Sequence, residues 1–77
     1  MFEKIRAIIS EQLGADVDSI ELGTSFKDDL DADSLDLFEL VMAIEDVFNV
    51  EIPADEVGEL NTVEDVIEYL KGLGIDT

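Results

Sequence analysis

The apolar residues of this chain recur at intervals of three and four positions, which is the spacing of one face of an α-helix. No stretch alternates apolar and polar residues for long enough to predict a β-strand. Four helices are predicted, over residues 2–13, 34 or 35–48, 53–60 and 63–72. The pattern predicts an all-α fold: a small four-helix bundle with a long first loop and a short third helix.

Residues that start and stop helices support these boundaries. Gly14 and Gly72 are suited to end the first and fourth helices. Pro53 suits the first turn of the third helix, because proline lacks the backbone N–H that such a position leaves unbonded. Thr62 and Asp65 have the spacing of a capping box at the start of the fourth helix, with Asp in place of Glu. We therefore expect a single domain over residues 1–77.

The connection between the first two helices is long and polar, but it contains regularly placed apolar residues. It covers residues 15–33 and is rich in Asp, Ser, Gly and Thr. We expect its apolar side chains to hold it against the core, namely Val17, Ile20, Leu22, Phe26 and Leu30.

Charge is the extreme property of the composition. Twenty-one acidic residues face four basic ones, for a formal net charge of −17, and residues 28–68 contain no Lys or Arg. Such a surface repels nucleic acid and anionic lipid, and attracts basic protein surfaces or divalent cations. There is no apolar run long enough to span a membrane and no signal peptide at the N-terminus. We expect a monomeric, cytoplasmic protein that neither binds nucleic acid nor inserts into membranes.

Projection of the second helix separates three groups of side chains. One side is apolar and is predicted to face the core: Leu37, Leu40, Val41, Ile44 and Phe48. The opposite side is acidic, with Asp36, Glu39 and Asp46. Leu35, Phe38 and Met42 lie between them. These three either widen the core stripe or form an exposed apolar ridge beside a row of carboxylates, and the projection leaves both open.

Ser34 lies at the start of this helix beside a second residue that can cap it. If Asp33 is the cap, with Asp36 three residues on, the Ser34 hydroxyl is free and directed outward. A phosphodiester on that oxygen would lie near unbonded backbone N–H groups and the positive end of the helix dipole. The chain has no histidine, and its lysines are distant in sequence, so no general base activates this serine. We predict an attachment point and no enzymatic activity.

A calcium loop is the rival interpretation of the same segment. Asp29, Asp31 and Asp33 match the opening of an EF-hand loop. However, Ser34 stands where the loop needs glycine, and Leu40 stands where it needs a bidentate glutamate. No specific metal site is predicted, although weak binding of divalent cations to the carboxylates is expected. An acidic, divalent-cation-responsive binding module is therefore the alternative function of a different class.

The chain resembles the acyl carrier proteins of type II fatty-acid synthesis along essentially its whole length. Four features carry the resemblance: Phe26 and Asp29-Leu30 before Ala32-Asp33-Ser34-Leu35-Asp36, then Glu39-Leu40-Val41-Met42-Ala43-Ile44-Glu45, then Glu51-Ile52-Pro53, and finally Thr62-Val63 with Tyr69. One position departs from the pattern, because Asp31 stands where the family usually has glycine.

This resemblance implies a cofactor and a modifying enzyme. A carrier-protein synthase, which is a phosphopantetheinyl transferase, would transfer 4′-phosphopantetheine from coenzyme A to Ser34, with Asp33 and Leu35 flanking the site. Acyl chains would then be carried as thioesters on the arm. The resemblance implies delivery to the enzymes of fatty acid biosynthesis. A carrier for polyketide, nonribosomal-peptide or D-alanyl transfer is the alternative within the same class.

The resemblance also implies two sets of contact residues. Basic patches of partner enzymes would dock on a surface formed by Asp36, Phe38, Glu39, Met42, Glu45, Asp46, Glu51 and Asp55. An acyl chain folding back between the helices would lie against Phe26, Leu30, Val41, Ile44, Phe48, Leu60, Val66 and Leu70. The resemblance thus favours recognition as the role of the ridge that helix projection left undecided.

Overall fold

A computed structural model describes residues 1–75 of the chain, so the last two positions of the predicted domain lie outside the described residues. The elements are α1 (Phe2–Leu13), a 3₁₀ turn (Val17–Ser19), α2 (Ser34–Phe48), α3 (Ala54–Val57) and α4 (Val63–Gly72). Within residues 1–75 there is no β-strand, only an isolated bridge between Ser25 and Thr62. The all-α, four-helix prediction is confirmed.

Helix α1 packs against both α2 and α4, and α2 packs against α3. The core lies between these elements, and its most deeply buried side chains have at most 1% of their surface exposed: Ile5, Ile9, Ile20, Phe26, Leu40, Ile44, Val63, Val66 and Leu70. Burying each such side chain contributes roughly 1.5–3 kcal/mol. The apolar stripes predicted for α1, α2 and α4 therefore meet in one core.

The long first loop is fastened to the start of α4 by backbone hydrogen bonds. The Phe26 N–H donates to the Asn61 carbonyl at 3.0 Å, and the Val63 N–H donates to the Thr24 carbonyl at 3.1 Å. Ile20 and Phe26 are buried, and Leu30 is half-buried, as predicted. The prediction for Val17 and Leu22 was wrong, since they are 39% and 44% exposed. Leu22 contributes its carbonyl instead, which accepts from the Glu64 N–H at 2.9 Å.

Helix α3 is shorter than predicted. Pro53 has an extended ψ of 145° and is the N-cap, so the helix begins one residue later than expected. After Val57 the chain continues to Leu60 in tight turns, because the Glu59 N–H donates to the Glu56 carbonyl and the Leu60 N–H to the Val57 carbonyl. A single helical turn thus stands between α2 and α4, and it forms one wall of the site described next.

Candidate functional site: the start of α2

Asp33 is the cap of α2 and Ser34 is its first helical residue. Asp33 has extended backbone angles, with φ −89° and ψ −175°, and its Oδ1 accepts from the Asp36 N–H at 2.9 Å. The Asp36 Oδ2 accepts in return from the Asp33 N–H at 3.4 Å, which completes a capping box. The Ser34 side chain is exposed, and its hydroxyl makes no hydrogen bond within residues 1–75. The hydroxyl is therefore free to carry a covalent group.

A fixed turn leads into this position. Asp31 adopts the left-handed conformation, with φ 53°, which aspartate tolerates better than most residues. Ala32 is buried, and its N–H donates to the Phe26 carbonyl at 2.8 Å. Because Phe26 is itself buried, the backbone just before Ser34 is anchored to the core. Aspartate at position 31 is thus accommodated in this turn.

A cavity of about 440 Å³ adjoins Ser34, between the first loop, the start of α2 and α3. This volume lies within the range of small-molecule pockets. Its lining is largely apolar near α3, and a lysine and an aspartate stand on the loop side. The lining residues are Ser25, Phe26, Lys27, Asp28, Ser34, Leu37, Phe38, Ala54, Val57, Gly58, Leu60 and Asn61.

The structure brings only part of the predicted acyl-contacting set to this cavity. Phe26 and Leu60 line it. Leu30 and Phe48 are half-buried elsewhere, and four further residues are fully buried in the closed core: Val41, Ile44, Val66 and Leu70. Sequence reasoning missed the contribution of α3, because the position of a single-turn helix is set by packing. It also missed Lys27, although this residue is the only base between positions 7 and 70.

The three ambiguous side chains of α2 form an exposed apolar ridge. Leu35 is 67% exposed, Phe38 45% and Met42 61%. Glu39 and Asp46 are exposed beside it, and Asp36 is half-buried in the capping box. This geometry places an exposed apolar surface next to a row of carboxylates.

The remaining predicted docking residues differ in how exposed their carboxylates are. Glu51 and Asp55 are exposed. Glu45 is half-buried, and its Oε2 accepts from the Ile52 N–H at 2.6 Å. That carboxylate therefore fastens the loop after α2, and is less free to meet a partner than its neighbours are.

Three further features of residues 1–75 concern metal binding, membrane-spanning helices and ion pairs. No group of three or more His, Cys, Asp or Glu side chains within residues 1–75 is arranged to hold a metal ion, so the weak divalent binding stays a prediction. Over the same residues, no helix combines the length and apolarity needed to cross a membrane. Ion pairing is sparse in this part of the chain, where Arg6 and Asp18 approach to 3.8 Å.

Comparison with known proteins gives a consistent result at three levels. Residues 3–70 match the family model described as the phosphopantetheine attachment site. The chain is 48% identical over 71 residues to an acyl carrier protein of Clostridium acetobutylicum, with 92% of each protein covered. It is also similar to the solved structure of the acyl carrier protein from Enterococcus faecalis, at 31% identity and a TM-score of 0.76, covering 92% of this chain and 90% of the other.

The fold and the matched segment define a carrier domain of the phosphopantetheine-attachment class. Within that class, the chain belongs to the acyl carrier protein family. It is a carrier and not a catalyst, and it bears acyl groups on 4′-phosphopantetheine. The geometry at the start of α2 fits this group. Besides the free hydroxyl, the backbone N–H groups of Ser34 and Leu35 have no acceptor within residues 1–75 and can donate to phosphate oxygens.

Proposed function

We propose that Ser34 carries the 4′-phosphopantetheine arm, flanked by Asp33 and Leu35. The observation that carries this proposal is the division of roles at the helix start. Asp33 caps α2, while the exposed Ser34 hydroxyl has no hydrogen-bond partner among residues 1–75. The chain has no histidine, so the base that removes the hydroxyl proton comes from the transferase. The Ser34 oxygen then attacks the phosphorus of coenzyme A that carries the pantetheine, the pyrophosphate P–O bond breaks, and adenosine 3′,5′-bisphosphate leaves. The phosphodiester that remains on Ser34 lies at the positive end of the helix dipole.

The mass of the intact protein tests this assignment. Incubation with coenzyme A and a promiscuous phosphopantetheinyl transferase should add one phosphopantetheinyl group to the wild type and none to Ser34→Ala. Ser25→Ala is the matched control, because Ser25 lines the same cavity and presents a second hydroxyl there. A mass gain that persists in Ser34→Ala, or one lost in Ser25→Ala, would contradict the proposal.

The acyl groups carried are proposed to be those of fatty acid biosynthesis. The apolar side of the cavity next to Ser34, formed by Leu37, Val57 and Leu60 among others, suits a hydrocarbon chain. The polyketide, nonribosomal-peptide and D-alanyl alternatives differ in the acyl group and in the enzymes that load it. The test compares how fast the modified protein is loaded with acyl groups by type II fatty-acid enzymes and by the loading enzymes of the other three pathways. The fatty-acid enzymes should load it fastest. Preferred loading by one of the three would contradict the fatty-acid assignment.

The docking surface is proposed to be the ridge of Leu35, Phe38 and Met42 with its acidic border. The three exposed side chains stand at i, i+3 and i+7 of one helix and therefore form a contiguous patch. A contiguous apolar patch rimmed by polar residues is typical of a protein interaction site, which supports this assignment. Carboxylates beside them steer a basic partner and set its orientation. The partners are the transferase and the fatty-acid synthesis enzymes, each meeting this face with a basic patch.

A charge reversal on α2 tests the docking surface. Glu39→Lys should raise the KM for partner enzymes about tenfold or more, since it places a like charge against a basic patch. Glu68→Lys is the control, because Glu68 is also exposed but lies on α4. Thermal unfolding should be little changed in both variants. Equal losses of partner activity in the two variants would show that only overall charge matters, and would contradict the proposed face.

A further inference from the structure

Lys27 is unusual among the residues around Ser34. It is the only basic residue between positions 7 and 70 of a chain with net charge −17. It lies on the first loop and lines the same cavity as Ser34, which lies on α2. The one basic residue in this acidic region thus lines the cavity that adjoins the Ser34 hydroxyl.

The ammonium group of Lys27 is not used within the described part of the chain. It makes no ion pair or hydrogen bond there, although Asp28 and Asp29 follow it directly in the sequence. The Asp29 Oδ2 accepts from the Ser25 N–H at 2.7 Å, and Asp33 and Asp36, further along the chain, cap α2. Asp28 lines the same cavity, but its carboxylate forms no ion pair with Lys27. An anion that enters the cavity would therefore meet an uncommitted positive charge.

We propose that Lys27 binds the phosphodiester that joins the arm to Ser34, and positions the arm toward the cavity. This inference rests on the proposed function of Ser34. A phosphodiester adds a negative charge to a site already bordered by Asp31, Asp33 and Asp36. Lys27 offsets that repulsion, and its flexible four-carbon stem lets the ammonium follow the phosphate as a point charge.

The position of Lys27 on the loop wall gives this contact a directional effect. The helix start alone binds the phosphate through its backbone N–H groups, and these leave the arm free to point into solvent. A second contact from the opposite wall draws the phosphate between loop and helix, beside the apolar residues of α3. Lys27 is therefore a positioning residue for the arm, with no part in forming the bond.

Phosphorus NMR of the modified protein tests this inference without any measurement of carrier activity. We compare Lys27→Gln with Lys27→Arg, which keeps the charge, and with Lys71→Gln, which removes one charge from α4. Lys27→Gln should shift and sharpen the phosphodiester resonance, while the other two should resemble the wild type. Added NaCl should move the wild-type resonance toward that of Lys27→Gln, because salt screens exposed charge pairs.

Each outcome decides between the two proposals. If every variant gains the arm but the phosphodiester resonance is the same in Lys27→Gln and wild type at all salt concentrations, the Lys27 inference fails and the Ser34 assignment stands. If no variant gains the arm, the Ser34 assignment fails and the inference fails with it. If Lys27→Gln alone resists modification, Lys27 serves transferase recognition, and the inference is overturned.

Discussion

At the scale of single residues, the site depends on which of two neighbours caps α2. Asp33 and Ser34 can both cap a helix, so from the sequence alone the Ser34 hydroxyl is free only if Asp33 is the cap. The extended backbone of Asp33 makes it the cap, and the reciprocal hydrogen bonds between Asp33 and Asp36 stabilise this arrangement. Such backbone angles follow from how the preceding turn is anchored through Ala32 and Phe26, which local sequence does not reveal.

Asp31 offers a test of the strain in that turn. Its φ of 53° places an L-residue in the left-handed region, at a cost that glycine avoids. Asp31→Gly should therefore raise the free energy of unfolding by about 0.5–1 kcal/mol. Urea denaturation measures this directly.

Asp31→Asn separates the backbone effect from the charge effect. Asparagine tolerates the left-handed region much as aspartate does, but it removes the carboxylate. Most of the increase in the free energy of unfolding should therefore be seen in Asp31→Gly and not in Asp31→Asn. If Asp31→Asn were as stable as Asp31→Gly, relief of repulsion near Ser34 would explain the gain, and backbone strain would not.

At the scale of elements, the helices were predictable wherever local signals coincide with periodicity. Gly14 ends α1 in the left-handed conformation, and the Thr62–Asp65 capping box starts α4, both as predicted. The 3₁₀ turn was missed, although the bond from the Asp18 N–H to the Asp16 side chain is a known turn signal. Helix projection could not predict whether the ridge of Leu35, Phe38 and Met42 is exposed, because it gives the angle of a side chain around the helix but not what packs against it.

Tyr69 tests whether the Glu56 side chain of α3 lies close to α4. The nearby Glu56 carboxylate on α3 is the main cause that raises the pKa of the Tyr69 phenol above its ordinary value of 10.0. The stabilising contact is therefore present below pH 10.0 and is lost as pH rises through the higher folded-state pKa. Tyr69 is the only tyrosine and the chain has no tryptophan, so phenolate absorbance reports this group alone.

Glu56→Gln is the variant for this titration. It removes the negative charge that opposes ionisation of the phenol, so the pKa of Tyr69 should fall toward 10.0. Glu64→Gln is the control: Glu64 lies on α4, as Tyr69 does, but does not contribute to the raised pKa, so this variant should leave the pKa of Tyr69 unchanged. A native protein whose Tyr69 titrates at or below the ordinary value would show that Glu56 does not lie close to Tyr69.

At the scale of the whole molecule, the chain carries a net charge of −17, and the Cα atoms of residues 1–75 span only 27 × 24 × 19 Å. At about 0.01 M salt the Debye length is roughly 30 Å, so the carboxylates repel one another across the entire molecule; at about 0.1 M it is roughly 10 Å. Raising the salt concentration from about 0.01 M to about 0.1 M should therefore raise the thermal unfolding temperature by about 5 °C or more. In a domain this small, a gain of about 1 kcal/mol in the free energy of unfolding corresponds to a rise of 4–8 °C.

Matched ionic strengths of NaCl and MgCl₂ separate screening from binding. Equal effects would assign the stabilisation to screening alone, and a larger effect of magnesium would support the predicted weak divalent binding. An unfolding temperature that does not change with salt would contradict the repulsion on which this prediction rests.

The central claim is that the arm is attached to Ser34, and locating the added mass within the chain tests it most directly. After treatment with coenzyme A and the transferase, cleavage at lysine releases residues 28–71, whose hydroxyl groups belong to Ser34, Thr62 and Tyr69. Fragmentation of that peptide by mass spectrometry should place the phosphopantetheinyl group on Ser34. An unmodified peptide, or the group on any other hydroxyl of the chain, would contradict the claim.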